Sequence, residues 1–208
     1  MKKLFKISVL ILLTFYFSNM SKAEEVKDCF EGLNRATFAF NQGLDKAIIE
    51  PLAKGYRKLP MPIRTGTSNV LSNLSNLVTI PNNVLQGDLR AAGLNTARLT
   101  VNTTIGIFGI FDVAQQMGLV KDYRKEDYGQ TFGKWGVGEG CYFVLPILGP
   151  TTVRDSLGTI ASILGGDPWY NLTVKNDTQY FKDSDYYISK GSDGINFRSK
   201  NLESFDNL

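Results

Sequence analysis

The chain has 208 residues, 23 Lys or Arg against 20 Asp or Glu, two cysteines and no histidine. That length supports one domain with a real core. The missing imidazole excludes Ser-His-Asp and Cys-His nucleophile systems, and with only two thiols present it argues against a transition-metal site.

The chain opens M-K-K-L-F-K, and Ile7 to Phe17 is an apolar run broken only by Ser8 and Thr14. Ser21 and Ala23 put small residues where a signal peptidase reads. These features predict a secretory signal peptide over residues 1–23. A retained N-terminal anchor is the alternative, but the run is short for a membrane span. Lys2, Lys3, Lys6 and Lys22 leave with that leader, so 19 basic and 20 acidic residues remain. No concentrated basic face is left for nucleic acid. In an exported chain Cys29 and Cys141 either form one disulfide or stay as two buried thiols. Cys29 follows Glu24, Glu25, Lys27 and Asp28 instead of the apolar leader, so it does not read as a lipid attachment site.

Phe30, Leu33, Thr37, Phe40 and Leu44 recur at three- and four-residue steps and predict a helix from Phe30 to Tyr56, which Gly43 and Pro51 bend or break. Pro60-Met61-Pro62 ends it, and Pro62 suits the first turn of the next helix. Residues 65–87 carry no charge but many amides, Asn69, Asn73, Asn76, Asn82 and Asn83, and a Ser/Asn stripe lies opposite the apolar stripe of Val70, Leu71, Leu74 and Leu77. Five amides exclude a bare membrane span. Such a face suits a headgroup boundary, a wet interior, or a packed domain whose amides are hydrogen-bonded. Pro81 is expected to start a separate short turn ending near Gly87.

Asp88 can cap a helix to about Thr104 that carries Arg90 and Arg98. The apolar run Ile105 to Phe111, with Gly106 and Gly109, is a core connection or an element that dips into lipid, and Asp112 opens another helical turn. Lys121 to Asp127 is an exposed charged loop, and Tyr128 to Trp135 a short helix. Gly133, Gly136, Gly138 and Gly140 then lead into the apolar run Tyr142 to Leu148, which Pro146 interrupts. Proline disfavours a central strand, so the stretch reads as a flexible apolar hairpin, with a buried hairpin as the plain alternative. Thr151 and Thr152 can cap a helix bearing Arg154 and Asp155, and Leu157, Ile160, Ile163 and Leu164 continue it to Gly165-Gly166. Asp167 starts the next element, and Tyr180, Phe181, Tyr186, Tyr187 and Ile188 form a docking stripe in a polar tail. Carboxylate pairs such as Asp45 with Glu50 leave a two-carboxylate hydrolase as the enzymatic alternative.

F-E-G-L-N-R-A-T-F-A-F-N (30–41), P-L-A-K-G-Y (51–56), L-Q-G-D (85–88), N-T-T-I-G-I-F-G-I-F-D-V-A (102–114), F-G-K-W-G-V-G-E-G (132–140) and Y-F-V-L-P-I-L-G-P-T-T-V-R-D (142–155) occur in this order. On these stretches the chain resembles the MlaA (VacJ) family of outer-membrane phospholipid-trafficking components. The resemblance implies a mainly α, ring- or doughnut-like domain with a short Gly/Pro-rich hairpin, lying in the inner leaflet of the outer membrane on its periplasmic side. It implies an amphipathic channel that passes phospholipid to a periplasmic MlaC-like carrier, association with a trimeric porin, no covalent chemistry, and neither cofactor nor metal. A porin-binding scaffold and a periplasmic hydrolase are the competing functions.

Carried onto this sequence, the resemblance makes Gly136, Gly138, Gly140 and Pro146 the hinge or gate of the hairpin. Phe38, Phe40, Ile107, Phe108, Phe111, Tyr142, Phe143 and Leu145 are the channel or lipid-contacting candidates. Asn34, Arg35, Asp112, Arg154 and Asp155 are structural. The implied organisation is a signal peptide at 1–23, the helical domain at 24–175 and a C-terminal extension, shortened relative to the family, at 176–208. The family's lipobox is missing, so attachment is expected to rest on apolar surface. Cys29 and Cys141 stand where the family commonly has prolines, and this double replacement supports the disulfide.

Overall fold

The structure is a computed structural model that describes residues 28–119, 123–171 and 182–205. The expected signal peptide, and Tyr180 and Phe181 of the docking stripe, lie outside the described residues. Helix α1 (Glu31–Leu44) runs through a π-helical segment, Asp45–Ile49, into α2 (Glu50–Arg57). Gly43 stays helical, and the disturbance comes from Pro51. Proline lacks an N–H and its ring crowds the carbonyl four residues back, so the preceding turn widens. The Glu50 N–H accordingly reaches the Asp45 carbonyl, five residues back.

Helix α3 (Met61–Leu85) starts as expected, with Pro60 as N-cap and Pro62 in the first turn. The expected break at Pro81 does not occur: the proline sits inside one 25-residue helix. Packing holds the turn together, because Asn82 and Asn83 are buried and the Asn82 amide donates to the Val78 carbonyl at 2.9 Å. Helix α4 (Leu89–Thr104) is capped by the Asp88 carboxylate, which accepts from the Ala91 N–H at 2.8 Å. Asn83 meets Asn95, and Asn73 meets Thr103, so α3 and α4 run antiparallel and form the centre of the molecule.

Short helix α5 (Val113–Gln116) is capped by Asp112, and α6 (Tyr128–Lys134) by Asp127. Strands β1 (Tyr142–Leu145) and β2 (Gly149–Thr152) pair antiparallel, with Tyr142 opposite Thr152 and Leu145 opposite Gly149. Pro146 lies in the turn between them, where it removes no ladder bond. Thr152 caps α7 (Val153–Ala161), its hydroxyl accepting from the Asp155 N–H at 3.2 Å, and α7 ends in a second π-helical segment, Ser162–Gly166. Helices α6 and α7 approach so closely that a Cβ on Gly158 would lie 2.3 Å from the Gly129 nitrogen. Helix α8 (Asp183–Lys200) lies against α2 and α3, and α9 (Leu202–Phe205) against α2. The expected mainly α class with one short hairpin is the class observed.

The burial pattern is inverted relative to a protein folded in water. The largest fully buried side chains are Asn76, Asn82, Asn102, Thr79, Thr131 and Asp167. Those positions ordinarily hold Leu, Ile or Phe. The apolar side chains lie outside instead: Phe108 is 76% exposed, Leu164 82% and Ile147 73%. Leu33, Phe38 and Phe40 show the same reversal on α1, whose one buried residue is Asn34. On α7, Leu157 and Ile160 are exposed while Ser156 and Gly158 are buried. No described helix is long and apolar enough to cross a membrane.

Candidate functional site

A polar seam runs between α3 and α4. Buried amides are costly unless hydrogen-bonded, and here most are. Asn95 Nδ2 donates to Asn83 Oδ1 at 2.9 Å, Asn73 Nδ2 to Thr103 Oγ1 at 3.0 Å, and Thr131 Oγ1 to Asn82 Oδ1 at 2.6 Å. Of the three readings of the amide face, the hydrogen-bonded, packed one is the one observed. Arg98 is buried in the same seam, its guanidinium 4.0 Å from the centre of the Tyr123 ring and its Nη2 2.6 Å from Asp112 Oδ2. Asn102 Nδ2 donates to the other carboxylate oxygen at 2.9 Å, and Asn102 Oδ1 accepts from the Ala114 N–H at 2.9 Å. Burial pushes the Asp112 carboxyl up, but the hydrogen bonds from Arg98, Asn102 and the Gln115 N–H outweigh it, so its pKa lies below the ordinary 3.8.

That cluster seats the apolar loop between α4 and α5. Ile107, Phe108 and Gly109 are three consecutive residues in the left-handed region, with φ of 53°, 55° and 91°. Such a backbone is costly for β-branched and aromatic residues and persists only where its surroundings enforce it. Asn69 Nδ2 donates to the Ile110 carbonyl at 3.0 Å, and Gly109 rests on Asn73, where a Cβ would come within 2.6 Å of the asparagine Cβ. The polar seam therefore pushes Ile105, Ile107, Phe108, Ile110 and Phe111 outward, all exposed.

The hairpin is anchored along its free edge. Asn34 Oδ1 accepts from the Val144 N–H at 2.8 Å and Asn34 Nδ2 donates to the Tyr142 carbonyl at 3.3 Å. Asn41 Oδ1 accepts from the Ile147 N–H at 2.7 Å and Asn41 Nδ2 donates to the Leu145 carbonyl at 2.9 Å. The spacing explains the match. Seven helical residues rise about 10.5 Å, and three strand residues span about 10 Å, so two amides two turns apart imitate a partner strand. Cys29 and Cys141 form a disulfide beside them, and Asp28 bridges Tyr142. The turn presents Ile147 and Leu148, both exposed.

The expected site residues fall into groups. Phe38, Phe40, Ile107, Phe108 and Phe111 are exposed, while Tyr142, Phe143 and Leu145 are half-buried on β1. Gly136 and Gly140 have φ of 87° and 73°, whereas Gly138 is not in the left-handed region and has open space around it. Asn34 is a hairpin anchor, Arg35 pairs with Glu31 on the exposed side of α1, and Arg154 pairs with Asp155 at 2.9 Å and Glu139 at 3.6 Å. Asp45 and Glu50 both face Arg198, at 2.8 and 3.9 Å, and so serve an ion cluster that fixes α8 on the α1–α2 bend. Sequence reasoning passed over Asn41, Thr131 and Asn95; their signal was polar residues recurring on a helical period, which propensity alone treats as solvent-facing.

The described residues also form a small cleft of about 40 Å³ between α3 and α8. Leu71, Leu74 and Val78 make one wall, and Asp167, Lys190 and Asp193 stand on the other. The Asp167 carboxylate accepts from the Tyr186 hydroxyl at 2.8 Å and pairs with Lys190 at 3.2 Å. Burial and that carboxylate raise the Tyr186 phenol far above its usual value.

A family model described as MlaA lipoprotein matches residues 26–208. An uncharacterized protein of Rickettsia bellii is 35% identical over 173 residues, covering 83% of this chain and 64% of its own length. The intermembrane phospholipid transport system lipoprotein MlaA of Escherichia coli is 39% identical over 138 residues, covering 64% of this chain and 55% of that protein. The chain thus spans less than two thirds of the length of either relative. A solved chain reported as the structural basis for maintenance of bacterial outer membrane lipid asymmetry superposes with a TM-score of 0.70 at 33% identity, covering 86% of both chains.

Proposed function

This chain belongs to the MlaA family, and from that premise we propose that it sits in the inner leaflet of the outer membrane and moves phospholipid without breaking bonds. The carrying observation is the inverted burial, polar within and apolar without. Hydrocarbon is the solvent that makes such a surface favourable, since apolar area left in water costs about 25 cal/mol per Å². The E. coli relative is named as part of an intermembrane phospholipid transport system, which supports phospholipid as the cargo here.

On this reading the loop Ile105 to Phe111, the hairpin turn and the exposed side of α7 contact acyl chains, and Tyr142, Phe143 and Leu145 line the path beside the hairpin. A periplasmic MlaC-like carrier receives the lipid, and a trimeric porin holds the protein in place. Apolar surface contributes to the attachment.

The test is phospholipid mass analysis of the mature protein purified from outer membranes, paired with outer-leaflet phospholipid content in a deletion strain. Co-purifying phospholipid and a raised outer-leaflet content are expected. Lipid-free protein with a normal outer leaflet would leave only a porin-binding scaffold.

A further inference from the structure

The hairpin meets α1 at three successive levels: the Cys29–Cys141 bond, the Asn34 amide on Tyr142 and Val144, and the Asn41 amide on Leu145 and Ile147. We propose that the disulfide is a redox-sensitive lock that makes the hairpin and α1 one moving body, and that the hairpin leaves α1 only when the bond is reduced.

Without the bond, little else ties the hairpin to α1. Two strands alone are marginally stable. The four amide contacts are neutral; the Val144 contact is buried and two are half-buried, but the Ile147 contact at the turn is exposed, so water competes for it and the hairpin can open from that end. The two cysteines are 112 residues apart in sequence, so no local stretch of backbone replaces the cross-link. The chain entering β1 carries left-handed Gly136 and Gly140, turn points about which a released hairpin can swing. Cys29 is exposed, so a reductant can reach the bond. In the reaction a dithiol delivers two electrons and two protons, the S–S bond becomes two thiols, and the dithiol closes to its own disulfide. A disulfide-donating oxidoreductase runs the step backwards.

As a gate this lock rests on the lipid-path reading above, but its test uses no lipid and fails independently of it. Amide hydrogen exchange is measured on the mature protein in detergent micelles, oxidised and after dithiothreitol, alongside the Cys29→Ser/Cys141→Ser variant. The Val144 and Ile147 amides should exchange about tenfold or more faster in the reduced protein and in the variant, while α4 amides stay unchanged. Dithiothreitol should add nothing to the variant. Equal hairpin exchange in oxidised and reduced protein overturns the lock, as does equal acceleration throughout α4. Alkylation of both cysteines without reductant overturns it too.

Discussion

Replacing Phe108 by Asn separates membrane contact from folding. Phe108 is 76% exposed and sits at φ 55°. An aromatic side chain carries about 150–250 Å², so roughly 110–190 Å² is open, worth about 3–5 kcal/mol when hydrocarbon covers it. Asn tolerates the left-handed backbone better than Phe and removes no internal contact of consequence. Partition onto vesicles should therefore weaken roughly hundredfold or more, while the urea midpoint shifts by less than about 0.5 kcal/mol equivalent. Vesicle flotation at limiting lipid reads the first quantity and urea unfolding in micelles the second. Unchanged partition, or a stability loss above about 1 kcal/mol, would show that Phe108 is a packing residue and refute the reasoning.

Gly109→Ala should cost about 2–4 kcal/mol in unfolding free energy, since it adds left-handed strain to a 2.6 Å approach to Asn73; a loss under about 1 kcal/mol would mean the loop is not seated as described. Gly136→Leu should lower stability by about 1–2 kcal/mol because φ there is 87°, whereas Gly138→Leu should be nearly neutral. If the glycines are a hinge, both variants impair lipid asymmetry, and normal outer-leaflet phospholipid in both sinks that role. Asp112 has a lowered folded pKa, so its contribution is present above about pH 4 and is lost as pH falls through the folded value. Asp112→Asn should cost about 3 kcal/mol at pH 7 by leaving Arg98 buried without its carboxylate, and should flatten the acid limb of the stability profile. An acid limb identical to the parent's would assign the linkage to other groups.

Local chemistry in the sequence reported element ends well. Asp88, Asp112 and Thr152 cap the helices they were expected to cap, and Pro60 and Pro62 bracket the start of α3. It reported poorly on which face of an element turns inward. Helical period places Asn73, Asn76 and Asn83 on one face and Leu74 and Leu77 on another, but period is blind to the solvent, and in lipid the usual assignment reverses. Pro81 misled for a related reason: tertiary packing of Asn82 and Asn83 overrode a local breaker. The Asn34 and Asn41 pair was illegible because its meaning depends on a strand more than a hundred residues away. The disulfide was only half legible: thiol count and compartment allowed it, and the backbone settled the pairing.

The most direct measurement is photolabelling of the mature protein in outer-membrane vesicles with a phospholipid carrying a diazirine near the end of its acyl chain, followed by peptide mapping. Adducts are expected on residues 105–111, 147–148 and 157–164, and none on the α3–α4 amide seam. Adducts confined to other segments, or labelling no higher than for a periplasmic control protein, would contradict it.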